Sequence, residues 1–258
     1  MRILVAGDSW SQGEWGFSSG QYAVDHGGLA QYLTEAGHTV DNVGQGGSTN
    51  ELQVEAIERA VQEQIYDQIF WFHSTFERQL ISEFHQDQLT TEWSFIEQWH
   101  QDNIDIWSNI NTLEDFLSLE RSMLDGVYSR LNKVDQPIHV IGGSSRTVPS
   151  ISNYANLNTV IDRVMEWLLP DYQFPRWLNS QLDYTEFKSR DPSLMDFLLE
   201  DKDRLINMLS NIPFNGNPNQ EVIGEPNPEL MAWIWPDGEH MNRHAHLELY
   251  KYIKEKIL

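Results

Sequence analysis

The sequence predicts an α/β fold built on a doubly wound parallel sheet. Short apolar runs alternate with helical-period segments over residues 1–74, the order in which parallel strands and crossover helices follow each other. The opening run, Ile3 to Ala6, is apolar at every position rather than every second one, which suits a strand buried on both faces. Turns rich in Gly, Ser and Asn close the runs.

The first strand ends at Gly7, and Asp8-Ser9 follows at its carboxyl end, the edge where open α/β sheets gather ligands and catalytic groups. Position alone makes Ser9 a candidate nucleophile; the same residues also read as a strand-ending turn and a helix cap. Gly13 to Gly28 reads as a Gly- and Ser-rich loop, followed by a short helix from Leu29 to Glu35 that stops at Gly37. Thr39 to Val43 is a second strand, and Asn42 to Asn50 is the turn beyond it. Glu51 to Ile65 is amphipathic, with Leu52, Ala56, Ala60 and Ile65 near helical spacing, and Ile69 to His73 is a third strand.

From Ser74 the pattern changes. Trp93 to Leu131 repeats large apolar residues at three and four (Phe95, Trp99, Ile106, Ile110, Leu113, Leu117), giving one bent helix or two. Pro137 to Ile141 is a fourth strand. A second helical block covers Leu157 to Leu169 and then about Pro175 to Leu209, with Pro170, Pro175 and Pro192 at breaks or starts. Both blocks read either as a lid or as crossover helices grown long. Ile212 to Pro228 is a proline-bearing loop, and Met231 to Trp235 a short fifth strand. Asn242 caps a last helix whose Ala245, Leu249, Ile253 and Ile257 form one stripe, with Lys251, Lys254 and Lys256 suited to the negative end of its dipole.

At 258 residues the chain is expected to be one domain, residues 1–258, with helical insertions at about 75–136 and 150–228. It contains no cysteine, which excludes disulfides, thiolate catalysis and Cys-ligated zinc. The net charge of −22 makes an acidic protein that repels phosphate backbones and anionic lipid, so neither nucleic acid nor a membrane is an expected partner. No run of eighteen apolar residues occurs, and the first strand begins too early to leave room for a signal peptide. The expected location of the chain as written is cytoplasmic. Among ten tryptophans, Trp10 and Trp15 flank Ser9 closely enough to line a substrate pocket.

The chemistry-bearing residues form three groups. In Trp235-Pro-Asp237-Gly-Glu-His240-Met-Asn242, a carboxylate three residues before a histidine can fold back to accept its Nδ1 proton, leaving Nε2 as a base. Such a base activates a serine hydroxyl, a poor nucleophile at neutral pH, and Asp237 orients the ring. The glycine turn after the second strand is the third ingredient: the Gly47 and Ser9 amides are placed to meet an oxyanion, although a plain strand-to-helix turn would look the same. Gly44, Gly46 and Gly47 lack the G-x-G-x-x-G spacing and the lysine of nucleotide loops. His240, His244 and His246 invite a metal reading, but H-E-x-x-H is absent, so no metal and no cofactor is expected. G-x-S-x-G does not occur.

These blocks resemble the SGNH hydrolases, also called GDSL-type esterases. Gly7-Asp8-Ser9 matches the nucleophile block, Asn42-x-Gly44-x-x-Gly47-x-Thr49 the block of the oxyanion glycine, and Asp237-Gly-x-His240-x-Asn242 the last block. The resemblance covers the sheet elements and not the two helical blocks. It implies a flavodoxin-like sheet of about five strands and metal-free serine ester hydrolysis, with Ser9, Asp237 and His240 as catalytic triad and an oxyanion hole. The family's third block reads Gly-x-Asn-Asp, whose Asn is a further oxyanion donor. Here the stretch is His73-Ser-Thr-Phe-Glu-Arg78, with Phe76 in the Asn position and Thr75, Ser74 or His73 as substitute donors. The expected substrate is a small-molecule or carbohydrate acyl ester, with O-acetyl groups on a carbohydrate favoured. The competing expectation is a non-catalytic glycan-binding or structural module on the same fold.

Overall fold

The computed structural model describes residues 1–18, 21–74, 112–143, 147, 149–170, 232–233 and 240–258. Its centre is a five-stranded parallel sheet of β1 (Arg2–Gly7), β4 (Thr39–Asn42), β5 (Gln68–His73), β6 (Ile138–Gly142) and β7 (Leu157–Ile161). The spatial order is β4-β1-β5-β6-β7. Numbered by sequence within the sheet this is 2-1-3-4-5, the flavodoxin-like winding, whose switch point lies between β1 and β5. Ligand crevices of such sheets open beyond the strand ends at that point.

The alternation of side chains divides β1 and β5 between two cores. Leu4, Ala6, Ile69 and Trp71 face one side with Val54 and Ile57 of α3 (Asn50–Glu63) and Leu124, Val127, Tyr128 and Leu131 of α4 (Leu113–Leu131). Ile3, Val5, Phe70 and Phe72 face the other with Leu29 and Leu33 of α2 (Gly28–Glu35) and Ala245, Leu249 and Ile253 of α6 (Arg243–Lys256). All eight of these strand side chains are fully buried, which accounts for the unbroken apolar runs.

Three readings of the sequence need correction: the loop over Gly13 to Gly28, the strand over Met231 to Trp235, and the helix over Leu157 to Leu169. Gly13 to Gly28 is not a loop throughout, because Glu14–Ser18 (β2) and Gln21–His26 (β3) pair as an antiparallel hairpin. Its signal was the alternation of Trp15, Phe17, Tyr22 and Val24, which the glycines and serines between them concealed. The fifth strand is β7 and not Met231 to Trp235. Ala232 and Trp233 are helical, and Met231, Ile234 and Trp235 lie outside the described residues. Leu157 and Ile161, four apart, fit a helical stripe, but Thr159-Val160-Ile161 is β-branched throughout and sits extended on the sheet edge. Helix α5 starts only at Val164 and ends at Leu168. The expected helices over 93–111 and 175–209 and the loop at 212–228 lie outside the described residues.

Candidate active site

Three strand ends meet at the switch point. β1 ends at Gly7, whose φ of 147° belongs to glycine; a Cβ there would lie 2.6 Å from Cβ of Phe72 on β5. The chain then turns into the four-residue helix α1 (Ser9–Gln12), with Asp8 as its N-cap accepting from the Trp10 amide at 3.0 Å. Cap and candidate nucleophile, alternatives in the sequence, are adjacent parts of one turn. Ser9 is 7% exposed.

His240 reaches this turn from the far end of the chain. Asn242 caps α6 by accepting from the Ala245 amide at 3.0 Å, and its side-chain amide donates to the Ala232 carbonyl at 2.8 Å. Arg243 beside it donates through its amide (2.6 Å) and Nε (2.9 Å) to the buried Glu14 carboxylate on β2. With the chain held at Asn242 and Arg243 just beyond it, His240 Nε2 lies 2.7 Å from Ser9 Oγ, a hydrogen-bond distance between residues 231 positions apart. Asp237 lies outside the described residues.

The glycine turn after β4 forms the next wall. Gly47 has φ of 72° and is exposed, and a Cβ there would meet nothing within 4 Å. Gly44 is packed: its missing Cβ would fall 2.0 Å from Ser11 Oγ, which donates to the Asp8 carbonyl at 2.7 Å. Thr49 caps α3 through the Leu52 amide.

Beyond β5, Thr75 and Phe76 lie outside the described residues, but the two preceding side chains are already engaged. Ser74 is fully buried and donates its hydroxyl to Asp8 Oδ2 at 2.9 Å. Its backbone is bracketed by Asn50, which accepts from the Ser74 amide at 2.8 Å and donates to its carbonyl at 2.9 Å. His73 is buried, with Nε2 2.9 Å from the Tyr128 hydroxyl. Ser74 is therefore not the spare oxyanion donor that the sequence allowed, whereas His73 keeps a buried Nδ1 that has no hydrogen-bond partner among the described residues. Sequence reasoning missed the Asn50–Ser74 bracket and the Glu14–Arg243 clamp, because partners 24 and 229 positions apart leave no local signal.

Trp10 and Trp15 both border His240 and differ in kind. Trp10 is 6% exposed and packs into the core, with its ring centroid 6.4 Å from the imidazole and the planes 59° apart. Trp15 is half-buried, 5.7 Å away with planes 34° apart, and its Nε1 donates to the Ser9 carbonyl at 3.1 Å.

Burial sets the local electrostatics. It lowers His73 to a pKa of about 3, and His246, which accepts the Leu29 amide on Nδ1 at 3.2 Å, also to about 3. Burial pushes the Glu14 carboxyl up, and the hydrogen bonds from the Arg243 side chain and backbone outweigh it, leaving it below the usual carboxylate range. The three histidines weighed as metal ligands are placed apart in role: His240 at Ser9, His244 exposed, His246 buried against α2. Among the described residues no group of three or more His, Asp or Glu side chains is arranged to hold a metal, and none of the helices is long and apolar enough to cross a membrane.

No protein-family model matches the sequence, and no curated protein matches it. Solved structures similar to the chain include an acetyl xylan esterase, AlAXEase, at 12% identity over 100% of both chains with a TM-score of 0.40. The acetylxylan esterase Axe2 from Geobacillus stearothermophilus is 13% identical over 100% of this chain and 94% of that one, TM-score 0.39. The psychrotrophic esterase EstA from Pseudoalteromonas sp. is 9% identical over 99% and 96%, TM-score 0.39.

Proposed function

We propose that the chain is a serine esterase that works through an acyl-enzyme on Ser9. The observation that carries this is the 2.7 Å approach of His240 Nε2 to Ser9 Oγ at the carboxyl edge of the sheet. Ser9 Oγ attacks the ester carbonyl carbon while its proton passes to Nε2, and the alcohol leaves with that proton. Water then attacks the acyl-enzyme with His240 again as base, releasing the acid and restoring Ser9. Asp237 orients the imidazole and stabilises the imidazolium. The Ser9 amide, at the first turn of α1 where helix donors lack intrahelical acceptors, and the Gly47 amide hold the oxyanion, with Thr75 as a third donor.

For the substrate we propose O-acetyl groups on a carbohydrate, taken up without cofactor or metal. The half-buried indole of Trp15 beside Ser9 supports a sugar ring as the alcohol part. The engagement of Ser74 favours the second reading, a glycan-binding module on the same fold, because it removes one of the side chains that could replace the family's oxyanion Asn.

Hydrolysis of 4-nitrophenyl acetate and butyrate, beside fluorophosphonate labelling mapped by mass spectrometry, separates the two. Expected are turnover, a label on Ser9, and a loss of at least about 10³-fold in Ser9→Ala and His240→Ala. No turnover and no label would put the binding module first. Equal release of acetate and long-chain acids would overturn the acetyl preference.

A further inference from the structure

We propose that Trp15 is a positioning residue that acts through the His240 ring, stabilising the imidazolium formed when Ser9 gives up its proton; this rests on the serine-esterase reading above. Three contacts converge on this one indole. Its ring lies beside the imidazole at 5.7 Å, with planes 34° apart, nearer to stacked than to edge-on. Its Nε1 hydrogen is committed to the Ser9 carbonyl at 3.1 Å, which fixes the indole to the nucleophile's own backbone. Its benzo edge borders the glycine turn, since a Cβ on Gly46 would lie 3.8 Å from Cζ2 and 3.9 Å from Cη2 of Trp15. Nucleophile, base and glycine turn therefore share one aromatic neighbour, contributed by β2 where it pairs with Val24 of β3.

The physical consequence follows from when charge appears. In the resting site His240 Nε2 lies at hydrogen-bond distance from Ser9 Oγ. As the Oγ–carbon bond forms and the Ser9 O–H bond breaks, the proton moves to Nε2 and the ring becomes a cation. An aromatic quadrupole attracts that cation within about 6 Å and is nearly indifferent to the neutral ring. The interaction is therefore stronger in the transition state than in the ground state, so it raises kcat and leaves KM unchanged. Deacylation passes through the same imidazolium and is assisted equally. Trp10, farther away and more steeply tilted, is the weaker neighbour.

The test grades the quadrupole without changing the shape of the site. Tryptophan carrying one, two or three fluorines on the benzo ring is placed at position 15 alone, and 4-nitrophenyl acetate hydrolysis is followed. The expected result is a stepwise fall in kcat, about three- to tenfold across the series, at constant KM. Trp15→Phe, which keeps a π face, is expected to retain more activity than Trp15→Leu, with thermal melting confirming that both fold. A flat kcat across the series, whether or not KM rises, overturns the proposal and leaves Trp15 with the substrate-lining role alone. Fluorophosphonate labelling of the wild type keeps the two ideas apart. Label on Ser9 with a flat series sinks only the Trp15 role, whereas no label and no turnover sinks the esterase reading and the Trp15 role with it.

Discussion

Ser74 has one hydroxyl proton and spends it inside the site, on Asp8 Oδ2 at 2.9 Å. Asp8 in turn caps the helix that presents Ser9. Ser74→Ala removes a buried bond to a carboxylate, so the expected cost is about 1–3 kcal/mol, read as a lower urea midpoint with an unchanged slope. A loss below about 0.5 kcal/mol would mean that solvent replaces the hydroxyl. Gly47 offers the complementary case, because its side-chain direction is open but its φ of 72° is not available cheaply to alanine. In Gly47→Ala the turn either bears about 1 kcal/mol of strain or rotates its amide away from the Ser9 side. We expect rotation, with ester turnover slowed about 10- to 100-fold in the nitrophenyl acetate assay and the melting temperature nearly unchanged. Turnover at the wild-type rate in that variant would remove the Gly47 amide from the oxyanion hole.

At the scale of elements, the close approach of β1 and β5 governs where the nucleophile turn begins. Gly7→Ala would put a methyl 2.6 Å from Cβ of Phe72 and 2.9 Å from its carbonyl oxygen, both backbone-fixed, at a φ of 147°. Strain and overpacking together predict a loss of about 3 kcal/mol or more, visible in thermal melting; a variant that melts like the wild type would show that the two strands can part. Elements such as β1 and β5 were legible because a strand buried on both faces leaves a local apolar run, and α6 because its Asn242 cap and one-sided stripe are local too. Helix α3 was legible as a helix, but its buried face is Val54 and Ile57 rather than the stripe of Leu52, Ala56, Ala60 and Ile65, and Ile65 is exposed beyond its end. The hairpin and β7 were misread for a physical reason. Glycine and serine interrupt the alternation of the first, and the second presents its buried residues at a spacing shared by edge strand and helix. The Ser9 and His240 segments were legible as motifs. Their pairing was expected from the resemblance; the flanking contacts of Asn242, Arg243 and Glu14, which join the two ends of the chain, were not.

For the whole molecule, the dependence of stability on pH follows from two imidazoles sealed within it. His73 lies among Trp71 and Tyr128, and His246 between α2 and Phe72; burial holds both near a pKa of 3, against an ordinary value of about 6.5 in the unfolded chain. Below pH 6.5 the unfolded chain takes up both protons and the folded one takes up neither. The stability present above that pH is therefore lost as pH falls towards 3, at up to about 1.4 kcal/mol per pH unit for each ring. His26 and His139, also lowered by burial, act in the same direction. The charge of −22 opposes them, because protonating carboxylates relieves self-repulsion, but carboxylates of ordinary pKa near 4 titrate mostly below pH 5. Between pH 7 and pH 5 the histidines dominate, and the two sealed rings alone predict a loss of about 4 kcal/mol, a large share of the stability of an ordinary domain. Urea unfolding at pH 7, 6 and 5 measures it directly. A loss below about 1 kcal/mol would show that His73 and His246 take up protons in the folded state, and that neither ring is sealed from water.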